Sequence, residues 1–205
     1  MDFRKYQHLN TTNIDVWRWW QNLLNIKYET FVEPRTKPAF SLGYAANLFN
    51  LIKGDVIVEC GTGLYGPDYG NSALYWFNET EATKIHYIDL EKRHINSVKN
   101  KLGSSPRITY HHNNCFNVVP SINNIDLLYM DFWDGDGGGR ARAHLDLYNI
   151  SNRPKIILID DTDHSDPWKQ TLVVPAAVSQ GYKIVYVGRQ TLLVSVLVDD
   201  LIYQT

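Results

Sequence analysis

A glycine-rich segment, V-I-V-E-C-G-T-G-L-Y-G, is the first stretch of the sequence whose residue types indicate a chemical role. Gly61, Gly63 and Gly66 have the spacing of the fingerprint with which a strand-turn-helix unit binds the pyrophosphate of a dinucleotide. Gly66 is followed by Pro67, however, whereas the third glycine of that fingerprint lies inside a helix. Glu59, just before the turn, would repel a pyrophosphate and could orient a cationic, amine-bearing ligand. The turn therefore favours S-adenosylmethionine over a nicotinamide cofactor.

Aspartates follow two strand-like runs further along the chain. Asp131 ends I-D-L-L-Y-M-D, and Asp160 and Asp161 end K-I-I-L-I-D-D. Three carboxylates at one rim of a sheet repel one another unless positive charge lies between them. A divalent cation such as Mg²⁺ takes oxygen ligands of this kind, and it could hold an acceptor hydroxyl in line with a methyl donor. We therefore predict a magnesium site at these three aspartates, although either member of the pair could instead cap the next turn.

A histidine lies just beyond the aspartate pair. Histidine titrates near neutral pH, which suits it to proton removal, so His164 is the predicted catalytic base. The alternative is an ordinary surface imidazole.

The segment D-G-D-G-G-G (134–139) lacks the glutamate that ends a calcium loop, and we predict a mobile flap there. Arg140 and Arg142 after it are predicted to lie on solvated helix surface, with contact to an anionic group as the alternative. Trp168 and Lys169 are predicted on a helix near the rim, where either could line an acceptor pocket or simply belong to an ordinary amphipathic helix.

The alternation of β-branched runs with helical stretches predicts the elements that position these residues. Strands are expected at 55–60, 84–89, 108–113, 125–131, 155–160, 182–188 and 191–198, and helices at 71–77, 92–103 and 141–149. Such alternation is typical of a parallel sheet covered on both faces, which binds ligands at the carboxyl ends of its strands. The last two strands are too close in sequence for a crossover. We therefore predict a doubly wound, mostly parallel seven-stranded α/β sheet with a C-terminal antiparallel hairpin.

Length and composition limit the classes of function. The 205 residues suffice for one sizeable core, so we expect an N-terminal helical segment over 1–50, either packed on the sheet or acting as a lid, and one domain over 51–205. A net charge of -2 gives no excess of positive charge for binding nucleic acid or an anionic membrane. A small molecule is therefore the expected partner. Cys60 and Cys115 form no disulfide framework, and with no membrane-spanning run they indicate a cytoplasmic protein. The oligomeric state has no signal in the sequence.

The glycine turn and the residues after the next two strands together resemble the class I S-adenosylmethionine-dependent methyltransferases, over roughly residues 40–200. In that family the glycine turn lies under the methionine moiety of the cofactor. The resemblance therefore implies that the segment E-C-G-T-G supplies cofactor-binding residues, namely Glu59, Gly61, Thr62 and Gly63. It also implies a Rossmann-like fold with the terminal hairpin already expected.

The same resemblance assigns four residues beyond the turn. Asp89, at the end of the second strand, is implied to bind the ribose, since a carboxylate accepts hydrogen bonds from both hydroxyls of a diol. Asn114 and Cys115 follow the third strand and are implied to border the adenine, although the family commonly has Gly-Asp-Ser there. Ser72 stands where the family starts its next helix.

The aspartates at the rim are similar to those of metal-dependent O-methyltransferases of the catechol and macrocin types. Those families have one aspartate after the fourth strand and an Asp-Asp or Asp-Asn pair after the fifth. The resemblance implies that Asp131, Asp160 and Asp161 hold the metal, with Asp131 also near the cofactor. The catechol type has a lysine base three residues after its first aspartate, where this sequence has Asp134. A catechol mechanism is therefore not expected.

The predicted function is transfer of a methyl group from S-adenosylmethionine to a hydroxyl of a small molecule, assisted by Mg²⁺. Two alternatives stay open. The chain could keep the cofactor-binding fold without transfer chemistry, because the lysine base is missing, or it could be an NAD-dependent oxidoreductase.

Overall fold

The computed structural model of the chain describes residues 39–63, 72–132, 137–162 and 168–196. The helices in these ranges are α1 (Ala39–Leu51), α2 (Ser72–Glu79), α3 (Lys92–Leu102), α4 (Cys115–Val118), α5 (Gly137–Ile150) and α6 (Gln170–Ser179). The strands are β1 (Val56–Cys60), β2 (Lys84–Asp89), β3 (Ile108–His112), β4 (Leu127–Met130), β5 (Ile156–Ile159), β6 (Tyr182–Val187) and β7 (Thr191–Ser195). A short 3₁₀ turn, Val119–Ser121, follows α4.

The seven strands form one sheet in the order β3-β2-β1-β4-β5-β7-β6. Strands β1 to β5 run parallel, β7 pairs antiparallel with β5, and β6 pairs antiparallel with β7. The predicted fold, a mostly parallel doubly wound sheet ending in an antiparallel hairpin, is confirmed. Strand order reverses direction between β1 and β4, and the crevice at such a switch point is where sheets of this kind bind ligands.

Both faces of the sheet are covered, which explains why the central strands are apolar throughout. Strands β1, β4 and β5 are buried at every position. On one face Phe49 of α1 and Trp76 of α2 pack with Ile57 of β1. On the other face Leu147 of α5 and Val173 of α6 belong to the core that contains the remaining strand side chains. Burial of these apolar side chains, rather than helix propensity, holds the helices in place.

The observed boundaries differ from the predicted ones chiefly at α5. The helix begins at Gly137, so the last three residues of the predicted glycine-rich flap belong to its first turn, and that part of the prediction is wrong. Glycine disfavours a helix by about 1 kcal/mol per residue relative to alanine, but packing of Ala141, Leu147 and Tyr148 in the core outweighs that cost. Residues 133–136 lie outside the described ranges.

Helix α1 packs against the sheet and α2 instead of standing apart from them. The part of the predicted N-terminal segment that the structure describes therefore contributes to the core. Residues 1–38 lie outside the described ranges, and a lid role for them stays a prediction. Within the described ranges, each helix is too short or too polar to span a lipid bilayer.

Candidate functional site

A cavity of about 700 Å³ opens at the carboxyl ends of the parallel strands. Its size lies within the range of pockets that bind small molecules, roughly 300–1,000 Å³. We distinguish two regions of its wall. The turn side consists of Gly61, Asp89, Asn114 and Cys115, and the acidic rim consists of Asp131, Asp160, Asp161, Lys169 and Arg189. The cavity thus joins residues that the sequence assigned to a cofactor and residues that it assigned to a metal.

Gly61 follows β1 directly and lies against the backbone that follows β4. Its φ is 85°, and its N–H donates to the carbonyl oxygen of Ile88 at 2.9 Å. A Cβ at this position would lie 2.5 Å from the carbonyl carbon and oxygen of Asp131 and from the amide nitrogen of Phe132. Backbone atoms cannot yield as a side chain could, so only glycine fits. The turn consequently presents bare backbone to the cavity.

Glu59 and Ser72 lie behind this turn, away from the cavity wall. Glu59 is fully buried, and one of its carboxyl oxygens accepts a hydrogen bond from Ser72 Oγ at 2.8 Å. Burial raises the pKa of Glu59 to about 8, with the Ser72 hydroxyl opposing the rise. Thr62 is also buried, and neither it nor Gly63 is among the described residues that line the cavity. Direct contact of these four residues with a ligand stays a prediction, and the geometry gives Glu59 and Ser72 a supporting position.

Asp89 ends β2 on the cavity wall. Its Oδ1 accepts from the amide of Glu91 at 2.7 Å and lies 3.2 Å from Nδ1 of His94. Burial raises the pKa of Asp89, and the Glu91 amide and His94 oppose this rise. Both contacts use Oδ1, and Oδ2 accepts no hydrogen bond from the described residues. The carboxylate is therefore held in place with one oxygen still available to a ligand.

Asn114 and Cys115 form the wall beyond β3. The Asn114 side chain accepts from the amide of Phe116 at 3.0 Å and so caps α4. Cys115 is buried, and it and Cys60 are both free thiols. Neighbouring Phe116 also lines the cavity and packs edge to face with Phe132 at 6.0 Å between ring centroids. This side of the cavity offers an aromatic and apolar surface next to the polar end of β2.

The structure brings the three aspartates of the acidic rim together. Each offers one carboxylate oxygen, and these oxygens all lie within 4.8 Å of one another. Asp131 follows β4, and Asp160 and Asp161 follow β5. Asp161 has a φ of 53°, a left-handed conformation that aspartate tolerates better than most residues. Burial, and then repulsion from Asp160, raises the pKa of Asp131 well above its ordinary value.

Two cations already lie among these carboxylates. Lys169 Nζ is 3.0 Å from Asp131 Oδ1 and 3.3 Å from Asp161 Oδ2, and the lysine side chain is only 1% exposed. Arg189 lies 3.0 Å from Asp161 Oδ1 and 3.5 Å from Asp160 Oδ2. Burial lowers the pKa of Lys169, but the surrounding carboxylates outweigh it and raise the pKa above its ordinary value. The lysine is therefore an ammonium ion at neutral pH.

Gln190 connects the acidic rim to β4 and α1 through hydrogen bonds. Its Nε2 donates to Asp160 Oδ1 at 2.6 Å and contacts the Tyr129 hydroxyl at 2.9 Å. The Ser41 hydroxyl donates to the amide oxygen of Gln190. Helix α1 thus supports the rim through Ser41. Neither Gln190 nor Arg189 was assigned a role from the sequence, although both lie in the short connection between β6 and β7.

The two arginines of α5 differ in environment. Arg142 is exposed and pairs with Asp146 one turn on at 2.9 Å, so its predicted solvated position is confirmed. Arg140 is 7% exposed, and its guanidinium lies 4.2 Å from the ring centroid of Trp168. The prediction of a solvated Arg140 is therefore wrong, because stacking on the indole face provides a partner inside the fold.

The predicted base, His164, lies outside the described residues. A different histidine, His144 of α5, is buried near the rim and stacks on Phe132 with ring centroids 4.0 Å apart. Its Nδ1 lies 2.9 Å from the carbonyl oxygen of Arg140, which fixes the proton on Nδ1 because a carbonyl can only accept. Burial lowers the pKa of His144 to about 3, so the ring is neutral. It is absent from the cavity wall as described, and we assign it a packing role.

Comparison with solved structures identifies the fold. No protein-family model matches the sequence, and no curated protein is significantly similar to it. Among solved structures, a methyltransferase from Geobacter sulfurreducens shares 16% identity with a TM-score of 0.52, covering 87% of this chain and 85% of its own. The O-methyltransferase TomG from Streptomyces achromogenes, solved with S-adenosylmethionine and involved in tomaymycin synthesis, shares 14% identity with a TM-score of 0.53, covering 95% and 99%.

A third solved structure, the methyltransferase PaMTH1 from Podospora anserina with bound S-adenosylhomocysteine, shares 17% identity with a TM-score of 0.52, covering 87% and 85%. Identities at this level show a common fold. The chain therefore has the fold of class I S-adenosylmethionine-dependent methyltransferases, and the resemblance drawn from the sequence is confirmed for the fold.

Proposed function

We propose that the protein is an enzyme that transfers the methyl group of S-adenosylmethionine to a hydroxyl group of a small molecule. The observation that carries the proposal is the cavity in which the bare backbone turn at Gly61, the carboxylate of Asp89 and the acidic rim meet. TomG and PaMTH1, which share the fold, were solved with S-adenosylmethionine and S-adenosylhomocysteine respectively. An extended cofactor on the turn side would place its reactive end next to polar groups that can hold an acceptor.

The residues of the turn side fit this cofactor. Asp89 Oδ2 is available to the ribose hydroxyls, and Asn114 and Cys115 would border the adenine. The Thr62 hydroxyl lies beside the buried Glu59 carboxyl and opposes the rise of its pKa. These two residues flank the Cys60-Gly61 step and form the back of the turn. We assign the methionine end of the cofactor to this part of the turn.

The chemistry required of the chain is mainly positioning. S-adenosylmethionine supplies a methyl group on a positively charged sulfur. As the oxygen–methyl bond forms, the sulfur–methyl bond breaks and the sulfur takes its electron pair, and the acceptor hydroxyl loses its proton. The acidic rim would hold the acceptor oxygen in line, an effect that can supply several kcal/mol of the barrier reduction. For the proton we retain His164 as the proposed base.

The sequence also predicted that Mg²⁺ assists the methyl transfer, and the described residues fit a magnesium ion only in part. The three carboxylate oxygens are close enough to share a cation. Lys169 and Arg189, however, already pair with the three carboxyl groups. A divalent ion would have to displace a buried ammonium. We therefore derive no step through magnesium.

The proposal is tested by methyl transfer from isotopically labelled S-adenosylmethionine to a panel of phenols, polyols and sugars. Labelled product is expected from at least one hydroxyl compound, and Asp89→Asn is expected to reduce its formation. His164→Ala should lower the turnover number without changing cofactor affinity if His164 is the base. Cofactor binding without transfer to any acceptor class would favour the alternative, a cofactor-binding protein without transfer chemistry.

A further inference from the structure

Lys169 occupies the centre of the acidic rim. It precedes α6 directly and is nearly inaccessible, with 1% of its side chain exposed. Its ammonium is shared between Asp131, which follows β4, and Asp161, which follows β5. A lysine buried to this extent is uncommon unless it is paired, and here one ammonium joins the ends of two adjacent strands. The lysine therefore lies where a cation shared by these aspartates would lie.

A divalent ion and this ammonium compete for the same aspartates. Magnesium binds carboxylate oxygen at about 2.0–2.1 Å, and Lys169 Nζ lies 3.0 Å from Asp131 Oδ1 and 3.3 Å from Asp161 Oδ2. Both cations cannot use these oxygens without close repulsion between like charges. Arg189, at 3.0 Å from the other oxygen of Asp161, adds to the repulsion. Since the lysine is built into the chain, its local concentration is fixed, whereas a metal must be recruited from solution.

The ammonium also has one donor to spare. A lysine ammonium has three N–H donors, and among the described residues two are directed to Asp131 and Asp161. Lys169 is also on the cavity wall, so the third donor can reach a ligand oxygen there. A compact positive charge with a free donor can hold an acceptor oxygen in the way that was expected of a metal.

We propose that Lys169 is the resident cation of this site: its ammonium replaces a divalent metal among Asp131, Asp160 and Asp161 and binds the acceptor oxygen. The site then works without a metal, and its acceptor is a hydroxyl compound that needs no metal chelation. The part that concerns the acceptor rests on the proposed methyl transfer. The exclusion of a divalent metal by the lysine does not, and it can be tested without any substrate.

The test uses Mn²⁺ as the probe, titrated into the full-length protein and followed by electron paramagnetic resonance of the free ion. Wild-type protein is expected to show no saturable binding in the millimolar range. Lys169→Met removes the charge but keeps an unbranched apolar side chain, and it should bind one Mn²⁺ at least about tenfold more tightly. The double variant Lys169→Met/Asp161→Asn should lose that gain.

Lys155→Met is the matched control, because Lys155 pairs with buried Asp126 at 2.6 Å outside the cavity. It breaks a lysine–aspartate pair without gaining a Mn²⁺ site. The proposal is overturned if the wild type binds Mn²⁺ saturably and Asp161→Asn abolishes this binding, or if folded Lys169→Met gains none. Should Lys169→Met fail to fold, the wild-type and Asp161→Asn titrations decide the question alone.

The same proteins separate this proposal from the proposed function. If methyl transfer occurs, EDTA should not change its rate, and Lys169→Met should raise the KM for the acceptor while leaving the affinity for S-adenosylhomocysteine within about twofold. A metal requirement revealed by EDTA would overturn the role of Lys169 but keep methyl transfer. Failure to bind S-adenosylhomocysteine would overturn methyl transfer and leave the Mn²⁺ result valid.

Discussion

The turn side of the cavity is shaped by backbone packing, whereas the acidic rim is shaped by ion pairs. At Gly61 the strands approach so closely that a side chain has no room. At the rim, three carboxylates come together only because Lys169 and Arg189 neutralise most of their charge. Removing one partner of such a buried group costs about 3–5 kcal/mol, because it leaves a charge without compensation. The turn at Gly61 therefore depends on sterics, whereas the acidic rim depends on charge.

This difference separates what each region contributes. The turn side offers a surface that close backbone packing at Gly61 shapes. The acidic rim holds buried ions whose balance any polar ligand must preserve. A ligand with a positive charge near the turn and a hydroxyl near Lys169 meets both conditions, as the proposed pair of cofactor and acceptor does.

Gly61→Ala is the strongest test of the claim that close backbone packing shapes the turn side. The added methyl group would clash with the backbone of Asp131 and Phe132, and alanine disfavours a φ of 85°. We expect a loss of about 3–5 kcal/mol in the free energy of unfolding and no measurable binding of S-adenosylhomocysteine. Thermal unfolding and calorimetric titration measure the two effects.

Gly103→Ala is the control, because Gly103 has a similar φ of 72°, but a methyl group added there would have nothing within 4 Å of it. It should cost only about 1–2 kcal/mol and leave ligand binding intact. Equal effects of the two substitutions would show that conformation, and not the close approach to β4, makes glycine necessary at position 61.

The buried carboxyl group behind the turn predicts a pH dependence of stability. Folding raises the pKa of Glu59 from 4.5 to about 8, so the folded state holds this proton more tightly than the unfolded state. Its contribution is therefore fully present below pH 4.5 and is lost as the pH rises through about 8. Glu59→Gln, which stays neutral, should remove roughly 3 kcal/mol of this decline between about pH 5 and about pH 8.

Denaturant unfolding at a series of pH values checks this slope. Glu79→Gln, on the exposed end of α2, changes the same residue type on the surface and should leave the slope as in the wild type. A Glu59→Gln protein whose stability falls with pH as steeply as that of the wild type would contradict the burial of a protonated carboxyl behind the turn.

Asp89 tests whether the turn side also uses charge to bind its ligand. Asp89→Asn removes the carboxylate proposed to accept from two ribose hydroxyls, and affinity for S-adenosylhomocysteine should fall about 10- to 100-fold, or about 1.5–3 kcal/mol. Since the pKa of Asp89 is raised, wild-type affinity should also fall as the pH drops, starting above the usual range of a carboxylate. Asp146→Asn breaks only an exposed ion pair with Arg142 and should change neither quantity. An Asp89→Asn protein with wild-type affinity would remove Asp89 from the site.

The smallest expected effect concerns the packing beside the acidic rim. Arg140→Met loses the guanidinium stacked on Trp168, and a cost of about 1–2 kcal/mol is expected. Arg142→Met changes the same residue type on the exposed face of α5 and should cost less than about 0.5 kcal/mol. The free energies of unfolding of the two variants give the comparison, and equal losses would mean that the stacking contributes nothing.

The sequence predicted which strand-end residues meet at the cavity, on the turn side and at the acidic rim alike. Gly61 and Asp89 follow strands directly, and the carboxyl ends of parallel strands meet at one edge, so local patterns suffice to place them. Glu59 was expected at the ligand because it is next to the turn in sequence. Strand β1 is buried at every position, so Glu59 lies in the interior with Ser72 as its partner, and its contact with a ligand stays a prediction.

Local patterns predicted Lys169 near the rim but not its ion pairs with Asp131 and Asp161, and they assigned Arg189 no role. Lys169 is 38 residues from Asp131 along the chain, and only the packing of α6 brings it to the strand ends. Arg189 reaches the rim because β7 runs antiparallel to β5, which puts the connection between β6 and β7 beside Asp160 and Asp161. The position of Arg189 depends on which hairpin strand pairs with β5. The sequence predicted the hairpin but not that β7 is the strand next to β5.

The most direct test of the account is calorimetric titration of the full-length protein with S-adenosylhomocysteine and, separately, with NAD⁺. The account predicts stoichiometric binding of S-adenosylhomocysteine, weakened by Asp89→Asn, and no binding of NAD⁺. Binding of NAD⁺ without binding of S-adenosylhomocysteine would contradict the central claim and return the glycine turn to the dinucleotide interpretation.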